Sequence, residues 1–264
     1  MISLFLFFTE LSGLLDVLRA QAPPTAGKIR IIQGTGPTEG MVLVPAGSFL
    51  MGSNEASDQM PVRRLWLPAF WIDRTEVTAG AFDIFLKEKN LFSPKSPLWD
   101  GESLKPELKN HPAFPVPWEL ANEFCRFHGK RLPSEAQWEK AARGPAGWKF
   151  PWGNDWNNTF CNNGDQNVGR KLRSRPVGGF PEGTSHYGAL DMAGNVREWV
   201  RDFYEPNAYQ KTRLTIMPIR GEAPRVLRGG SFNKNQQSLS THHRSHSDID
   251  PELSDFGFRC VMDE

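Results

Sequence analysis

The sequence predicts an α+β fold, a single compact domain that is low in regular secondary structure. Glycine and proline, which interrupt helices and strands, account for 24 and 21 of the 264 residues. Tryptophan occurs nine times against three tyrosines, which is typical of ordered loops anchored by buried aromatic rings. Only three stretches have a helical period, and the rest of the chain has short apolar runs.

The N-terminal region divides into a possible signal segment (1–22) and a linker (23–40) ahead of the domain (41–264). Residues 1–22 begin with an apolar run and end in Ala20-Gln21-Ala22, which has the form of a signal-peptidase site. The run lacks a basic start and is interrupted by Glu10 and Asp16. An export signal and a buried amphipathic segment or misplaced start therefore remain alternatives, and the run is too short and too charged for a stable membrane span.

The first elements of the domain are predicted strands. MVLVPAGSFLMGS, from Met41, has two short apolar runs separated by Pro45-Ala46-Gly47, a pattern that predicts a hairpin. LWLPAFWIDRTEVT then reads as a strand-like stretch that leads into a helix.

Three amphipathic helices follow. The first begins at the N-cap Thr78 and places Phe82, Phe85 and Leu86 on one face. The second opens at Pro117 and ends at Gly129, with Cys125 on its apolar stripe. The third starts with the capping-box pattern Ser134-Glu135-Ala136-Gln137 and ends before Gly144.

After Gly144 the sequence predicts loops and short strands. The candidate strands are FPWGNDW, RPVGGF, REWVRDFY, PRVLRGGSF and FGFRCVMD. A formal charge of +1, from 31 basic and 30 acidic residues, provides no basic surface for nucleic acid or an anionic membrane. We therefore expect neither as a partner, and we expect a monomer.

Two oxygen-rich turns are candidate cation sites. In DMAGNVREW, Asp191 and Glu198 supply carboxylates, and Gly194 allows the chain to turn its carbonyls toward a common centre, as calcium requires. In CNNGDQ, Asn162, Asn163 and Asp165 offer side-chain oxygens. Both stretches can equally be polar turns without a metal.

The histidine cluster THHRSHSD and the cysteines also need an interpretation. His242, His243, His246 and Asp248 could bind zinc or iron, but the flanking Ser, Thr and Pro residues disfavour a stable helix there. The cysteines lack a CxxC spacing, so a cysteine zinc site is not supported. Cys161 has no cation nearby in sequence to activate it and is read as a bystander or as an intermolecular pairing site.

Five ordered motifs resemble the formylglycine-generating-enzyme domain, also called the sulfatase-modifying-factor domain. They are FPWGNDW, GKRLPSEAQWEKAARG, YGALDMAGNVREWVRDFY, RVLRGGSF and FGFRCV, and the resemblance extends over residues 41–261. It implies one compact, loop-rich domain, distantly like C-type lectins and stabilised by calcium.

The resemblance assigns several residues. Asp191, Glu198 and the carbonyls of Gly194 and Val196 correspond to the family's second calcium site. Asn162 and the carbonyl of Asn163 correspond to its first, although the loop with the other ligands is shorter here. Cys125 and Cys260 match a family disulfide, which fits an exported protein.

The resemblance also shows a loss. Active members carry two copper-binding cysteines after the Gly-Gly-Ser motif, and these positions fall on Lys234 and near Leu239; residues 231–259 contain no cysteine. Since neither residue can replace a thiolate, copper is not expected, and no catalytic residue is assigned. Ser231 matches the family serine, while Arg197 replaces a tryptophan and would suit a polar or acidic ligand in the groove.

Two functions therefore compete, whereas the absence of both copper ligands disfavours a third, a formylglycine-generating oxidase with unaltered mechanism. The first is a calcium-stabilised binding or accessory module for a peptide, glycan or protein partner. The second is an oxidoreductase with changed chemistry, using non-heme iron or another metal, although iron-dependent relatives carry their ligands on an additional domain. The sequence leaves it uncertain whether the protein is an enzyme, and export rests on residues 1–22 and the implied disulfide.

Overall fold

The computed structural model describes residues 31–170, 173–211, 223–246 and 255–264. The possible signal segment (1–22) and residues 23–30 of the predicted linker lie outside these described residues. In the part of the chain that is described, no helix is long and apolar enough to cross a membrane.

The three predicted helices are confirmed. They are α1 (Ala79–Glu88), α2 (Trp118–Phe127) and α3 (Glu135–Arg143). The hydroxyl of Thr78 accepts a hydrogen bond from the amide of Ala81, and Ser134 forms the predicted capping box with Gln137. These caps satisfy amides that have no partner in the first turn of a helix.

The described strands form four small sheets. The strands are β1 (Met41–Val44), β2 (Gly47–Met51), β3 (Arg63–Leu67), β4 (Phe70–Asp73), β5 (Trp99–Asp100), β6 (Ser103–Leu104), β7 (Arg197–Phe203), β8 (Arg225–Arg228), β9 (Ser245–His246), β10 (Phe256–Phe258) and β11 (Val261–Asp263). The sheet orders are β1-β4-β11, β10-β7-β8-β9, β2-β3 and β5-β6. Only β10 and β7 pair in parallel.

Part of the strand prediction is wrong. The β1 and β2 strands do not form a hairpin, because Val44 pairs with Phe70 whereas Gly47 pairs with Leu67. β1 and β4 meet in the core, where Val42 and Ile72 face each other and are fully buried. FPWGNDW and RPVGGF form turns and loop rather than strands: Phe150 and Gly153 make only an isolated bridge, and Gly178 turns the chain with a φ angle of 71°.

Two apolar clusters form most of the core. The larger joins α1 and α2 to β7 and β10, through Phe82, Phe124, Trp199 and Phe258. The other packs Trp138 of α3 against β1 and β4. A disulfide between Cys125 on α2 and Cys260 confirms the pairing implied by the resemblance, with the two Cα atoms 5.7 Å apart.

The four-stranded sheet positions the functional motifs. Antiparallel pairing of β7 with β8 sets Glu198 opposite Arg228. The chain leaves β8 directly into Gly229-Gly230-Ser231, and β10 ends immediately before Arg259 and Cys260. Residues that are far apart in sequence are thus held on one rigid element.

Candidate functional site

The turn after β8 needs its glycines. Gly229 and Gly230 have φ angles of 87° and 65°, a region that side chains with a Cβ rarely adopt. A Cβ at Gly230 would lie 2.5 Å from the carbonyl oxygen of Ser238. The turn therefore allows the segment after Ser231 to fold back closely on itself.

The structure brings together the two predicted groove residues through Asp255. Ser231 is fully buried, and its hydroxyl donates to Oδ2 of Asp255 in a short contact. Arg197 donates from Nε to Oδ1 of the same carboxylate at 2.7 Å, and its guanidinium lies 4.4 Å from the centre of the Phe256 ring. The charge of Arg197, expected to attract an acidic ligand, is thus paired within the protein.

The residues at the two family cysteine positions contribute to packing and to backbone hydrogen bonds in this protein. Leu239 is fully buried in a small apolar cluster with Cys161 and Ala193. The amide of Lys234 donates to the carbonyl of Ser231 at 2.9 Å, and its own carbonyl accepts from Gly164 at 2.9 Å. Neither position presents a soft ligand for copper.

The loop from Asp191 to Glu198, predicted to bind calcium, contacts the other predicted calcium loop. Asp191 and Asn195 adopt positive φ angles of 58° and 59°, which non-glycine residues rarely do. The amide of Asn195 donates to the carbonyl of Asn162 at 2.9 Å, and a Cβ at Gly194 would lie 2.1 Å from that oxygen. Gly194 is therefore required by close approach of the two loops.

Glu198 is held by two partners. Arg259 donates from Nε and Nη2 to its two carboxylate oxygens at 2.7 and 2.8 Å, and Trp138 Nε1 donates at 2.8 Å. Arg259 also donates to the carbonyl of Leu190 at 2.8 Å, the residue before Asp191. Glu198 and Arg259 are both fully buried.

A third carboxylate, that of Glu76, belongs to the same region, although the sequence motifs did not point to it. Its oxygens accept from the amide of Val196 at 3.0 Å and from Nδ2 of Asn195 at 2.7 Å. Burial, followed by the charges of Asp191 and Glu198, raises the pKa of Glu76 well above its usual value. Burial raises the pKa of Asp191 to about 6.

Three buried carboxylates thus surround a single guanidinium, that of Arg259. When all four groups are ionised, their net charge is −2, because Arg259 compensates one carboxylate and leaves two. A divalent cation such as calcium would balance this charge, but it would have to share the two Glu198 oxygens with Arg259, which already donates to both. Asp191, Glu198 and the carbonyls of Gly194 and Val196 would hold it.

At the first predicted calcium site, the amide nitrogen of Asn167 lies among the expected oxygen ligands. Nδ2 of Asn167 donates to Oδ1 of Asn162 and to the carbonyl of Asn163, both at 2.7 Å, and lies 3.4 Å from the carbonyl oxygen of Phe232. The two oxygens expected to bind calcium are thus engaged by an amide nitrogen, and Asn163 Oδ1 accepts from the amide of Asp165 at 3.1 Å. A donor group stands where the cation was expected.

The histidine cluster is dispersed. His242 is buried, with Nε2 3.4 Å from Oε2 of Glu55, whereas His246 lies in β9 with its ring 4.1 Å from that of Tyr204. Asp248 lies outside the described residues. Within the described ranges, no group of three or more His, Cys, Asp or Glu side chains could hold a metal ion.

Cys161 is an unreactive thiol. Its side chain is 2% exposed, and burial raises its pKa to about 12. The thiolate that reacts with electrophiles or binds metals is therefore scarce at neutral pH.

A buried charge network includes Arg228, the residue directly before the Gly-Gly-Ser turn. Arg228 and Glu139 are fully buried, and Nη2 of Arg228 donates to Oε2 of Glu139 at 2.6 Å. Arg143 donates to Oε1 of Glu139 at 2.8 Å, and Arg244 donates to Glu135 at 2.6 Å. The network joins α3 to β8 and to the histidine-containing loop.

Sequence reasoning missed four residues of this region: Glu76, Asn167, Asp255 and Arg259. Arg259 had a signal, because a charge inside the apolar run FGFRCV is rarely buried without a partner. Glu76 stands beside buried Val77 in a similar way. Asn167 and Asp255 gave no comparable signal in the sequence.

The fold and the site define the class of protein. They combine a loop-rich α+β domain, a Gly-Gly-Ser turn after a central strand and a disulfide to the chain end, as expected of a formylglycine-generating-type domain. The family model for the sulfatase-modifying factor enzyme 1-like domain matches residues 31–264. The chain belongs to this family.

Relatives differ in the size of the protein that carries the domain. The chain is 31% identical over 242 residues to the serine/threonine-protein kinase Pkn1 of Chlamydia trachomatis serovar L2. The matched region covers 84% of this chain but 38% of the kinase. It is 29% identical to the formylglycine-generating enzyme of Streptomyces coelicolor, over 86% of this chain and 90% of that protein. The chain thus spans about two fifths of the kinase relative.

Solved structures share the fold. PvdO from Pseudomonas aeruginosa superposes with a TM-score of 0.69 at 24% identity, over 90% of this chain and 99% of PvdO. Treponema denticola variable protein 1 has a TM-score of 0.66 at 23% identity, over 84% and 94% of the two chains.

Proposed function

We propose that this chain is a calcium-stabilised binding or accessory module of the sulfatase-modifying factor family that has lost copper-dependent oxidation. The module would recognise a peptide, glycan or protein partner near the segment that follows Ser231. The disulfide and the apolar start of the chain support export of the protein.

One observation carries the proposal: the chain has no pair of free thiols at the site. Cys125 and Cys260 are joined to each other, which leaves Cys161 as the third and last cysteine of the sequence. Leu239, close to one family cysteine position, fills the apolar cluster around Cys161. Copper(I) bound by two thiolates therefore has no counterpart among these residues.

Calcium in the module would be structural. It would bind at Asp191 and Glu198 and balance the buried carboxylates, and it would fix a loop whose backbone has few regular hydrogen bonds. No residue is assigned a catalytic role in this proposal.

The relatives support an accessory role. A kinase relative contains a matching segment as a minor part of a longer chain, as would be expected of an accessory domain. The partner of this chain is not identified by that similarity.

The proposal can be tested by metal analysis combined with oxygen uptake. Purified full-length protein is dialysed with calcium, copper(I) or iron(II) and then mixed with a cysteine peptide that carries a sulfatase motif. We expect bound calcium and no peptide-dependent oxygen uptake with any metal. The formylglycine-generating enzyme of Streptomyces coelicolor serves as the positive control.

Stoichiometric copper with peptide-dependent oxygen uptake would refute the proposal. Uptake with iron alone would instead favour the oxidoreductase with changed chemistry. A Cys161→Ala variant separates a true site from adventitious copper on the single free thiol, because loss of all copper binding in that variant would identify the thiol as its source.

A further inference from the structure

Aromatic side chains gather on the loop between α3 and the first asparagine-rich turn. Trp152, Trp156 and Phe160 are each partly exposed around the fully buried Phe150. The rings of Phe150 and Trp152 are stacked, with centroids 5.4 Å apart, and those of Trp152 and Phe160 meet edge to face at 5.7 Å. The loop therefore carries preorganised ring surface to the solvent.

A run of neutral amides precedes Leu239 in the chain. Asn235, Gln236 and Gln237 are exposed, and none of their side chains bonds to another residue in the described part of the chain. Each amide has donors and an acceptor available. A single exposed amide side chain is ordinarily only hydrated. Here three such side chains are consecutive near an aromatic loop.

Backbone and packing contacts connect the two segments. Leu239 ends the same short 3₁₀ helix as Gln236 and belongs to the apolar cluster against which Trp152 and Trp156 pack. The carbonyl of Lys149 accepts from the amide of Thr241 at 2.8 Å. The aromatic loop and the short helix that carries the amide run are thus connected through the Leu239 cluster and the Thr241–Lys149 bond.

We infer that these two segments form a binding surface for a neutral glycan. This aromatic–amide surface consists of Trp152, Trp156, Phe160, Asn235, Gln236 and Gln237. The inference rests on the proposed binding function and names its ligand class.

The chemistry of the surface favours a neutral, hydroxyl-rich ligand. The C–H groups on the face of a sugar ring pack on the electron-rich faces of aromatic rings. Its vicinal hydroxyls both donate and accept, which matches carboxamide side chains. A strongly charged ligand would need a cluster of opposite charges, whereas the charged residues that flank the surface in sequence, Asp155 and Lys234, have opposite signs.

The inference is tested by affinity electrophoresis of the full chain. Native gels contain mannan, a β-1,3-glucan, galactomannan or soluble starch, and a control gel contains no polymer. We expect at least one polymer to retard the protein. Trp156→Ala, and separately the double variant Gln236→Ala/Gln237→Ala, should weaken this retardation about tenfold or more, as loss of a central contact does.

Matched controls separate binding from folding. Trp66→Ala removes a tryptophan that is 64% exposed on β3, outside the surface, and should leave retardation unchanged. If Trp156→Ala alters the circular dichroism spectrum, the exposed glutamine pair decides the test.

Three outcomes would overturn the glycan inference. They are no retardation in any polymer gel, retardation that both surface variants retain in full, and binding of a polyproline peptide in place of the polymers. None of these would affect the proposed function unless oxygen uptake also appeared, so the two failures are distinguishable.

Discussion

Asn167 donates from Nδ2 to Oδ1 of Asn162 at 2.7 Å, and this contact replaces the bond that a calcium ion would make at the first predicted site. The same nitrogen reaches the carbonyl of Asn163 at 2.7 Å. Asn167 is 2% exposed, and its own Oδ1 has no hydrogen-bond partner among the described residues. Without a cation, the reverse orientation would face this oxygen with two acceptors, so the orientation that points the NH₂ group at them is favoured.

Because the Asn167 amide nitrogen lies at the first predicted site, we expect the wild-type protein to bind calcium only at the second. An Asn167→Asp substitution replaces the donor by a carboxylate. Its oxygens would repel the oxygens of Asn162 and Asn163 unless a cation lay between them. We expect this variant to bind one further calcium ion and, without calcium, to lose roughly 1–3 kcal/mol of unfolding free energy. Calorimetric titration after chelation, with thermal unfolding in parallel, measures both effects.

Asn235→Asp is the matched control, because it makes the same change at an exposed amide and should alter neither quantity. Two calcium equivalents in the wild-type protein would contradict the prediction. So would an Asn167→Asp variant with unchanged calcium stoichiometry.

The disulfide between Cys125 and Cys260 should contribute strongly to stability. The two residues are separated by 135 positions, and closing a loop of that length contributes about 5 kcal/mol in the chain-entropy model. Cys125→Ser/Cys260→Ser should therefore lower the unfolding midpoint in guanidinium, with an unfolding free energy reduced by up to that amount. Cys161→Ala, which leaves the bridge intact, is the control; an equal loss in this control would contradict the assignment.

Much of the fold could be predicted from the sequence because its helices are specified locally. Thr78 and Ser134 cap helices through contacts only a few residues long, and the apolar stripes follow directly. Strand pairing is different, since β1 selects β4 rather than β2 through burial of Val42 against Ile72. Such contacts depend on the tertiary structure, which a local pattern does not report.

The candidate site was predictable only in its outline. Motif order located Ser231 and Asp191, but the residues that determine their environment come from elsewhere in the chain. Asp255 reaches Ser231 across 24 positions, and Glu76 reaches Val196 across 120. Charge balance and the orientation of Asn167 follow from these distant contacts, so a sequence pattern could not reveal them.

His243 should make stability depend on pH. Burial, followed by the charge of Arg228, lowers its pKa to about 4, while Asp58 acts in the opposite direction. Because the unfolded histidine has a pKa of about 6.5, the unfolded state binds more protons between these two pKa values. Stability conferred by the neutral ring is therefore present above about pH 6.5 and is lost as the pH falls toward 4.

The measurement is the unfolding free energy in urea at several pH values, for wild type and for His243→Gln. The wild type should lose up to about 1.4 kcal/mol more per pH unit than the variant within that window. Comparing the two proteins removes the contribution of other groups, such as Asp202, whose pKa burial raises to about 6. Parallel pH profiles for the two proteins would contradict the prediction.

The pair of Arg228 and Glu139 should be costly to break. Burial opposes ionisation, but Arg228 and Arg143 hold the pKa of Glu139 below its usual value. Arg228→Met leaves a fully buried carboxylate with one fewer partner and should reduce the unfolding free energy by about 3–5 kcal/mol. Lys87→Met, which breaks a pair whose lysine is 68% exposed, should cost no more than about 0.5 kcal/mol.

In a double-mutant cycle, Arg228→Met/Glu139→Gln should cost less than the sum of the single changes, because neither charge is then left alone. Additive losses would show that the two residues act independently, and a loss near that of Lys87→Met would show that the buried pair contributes little to stability.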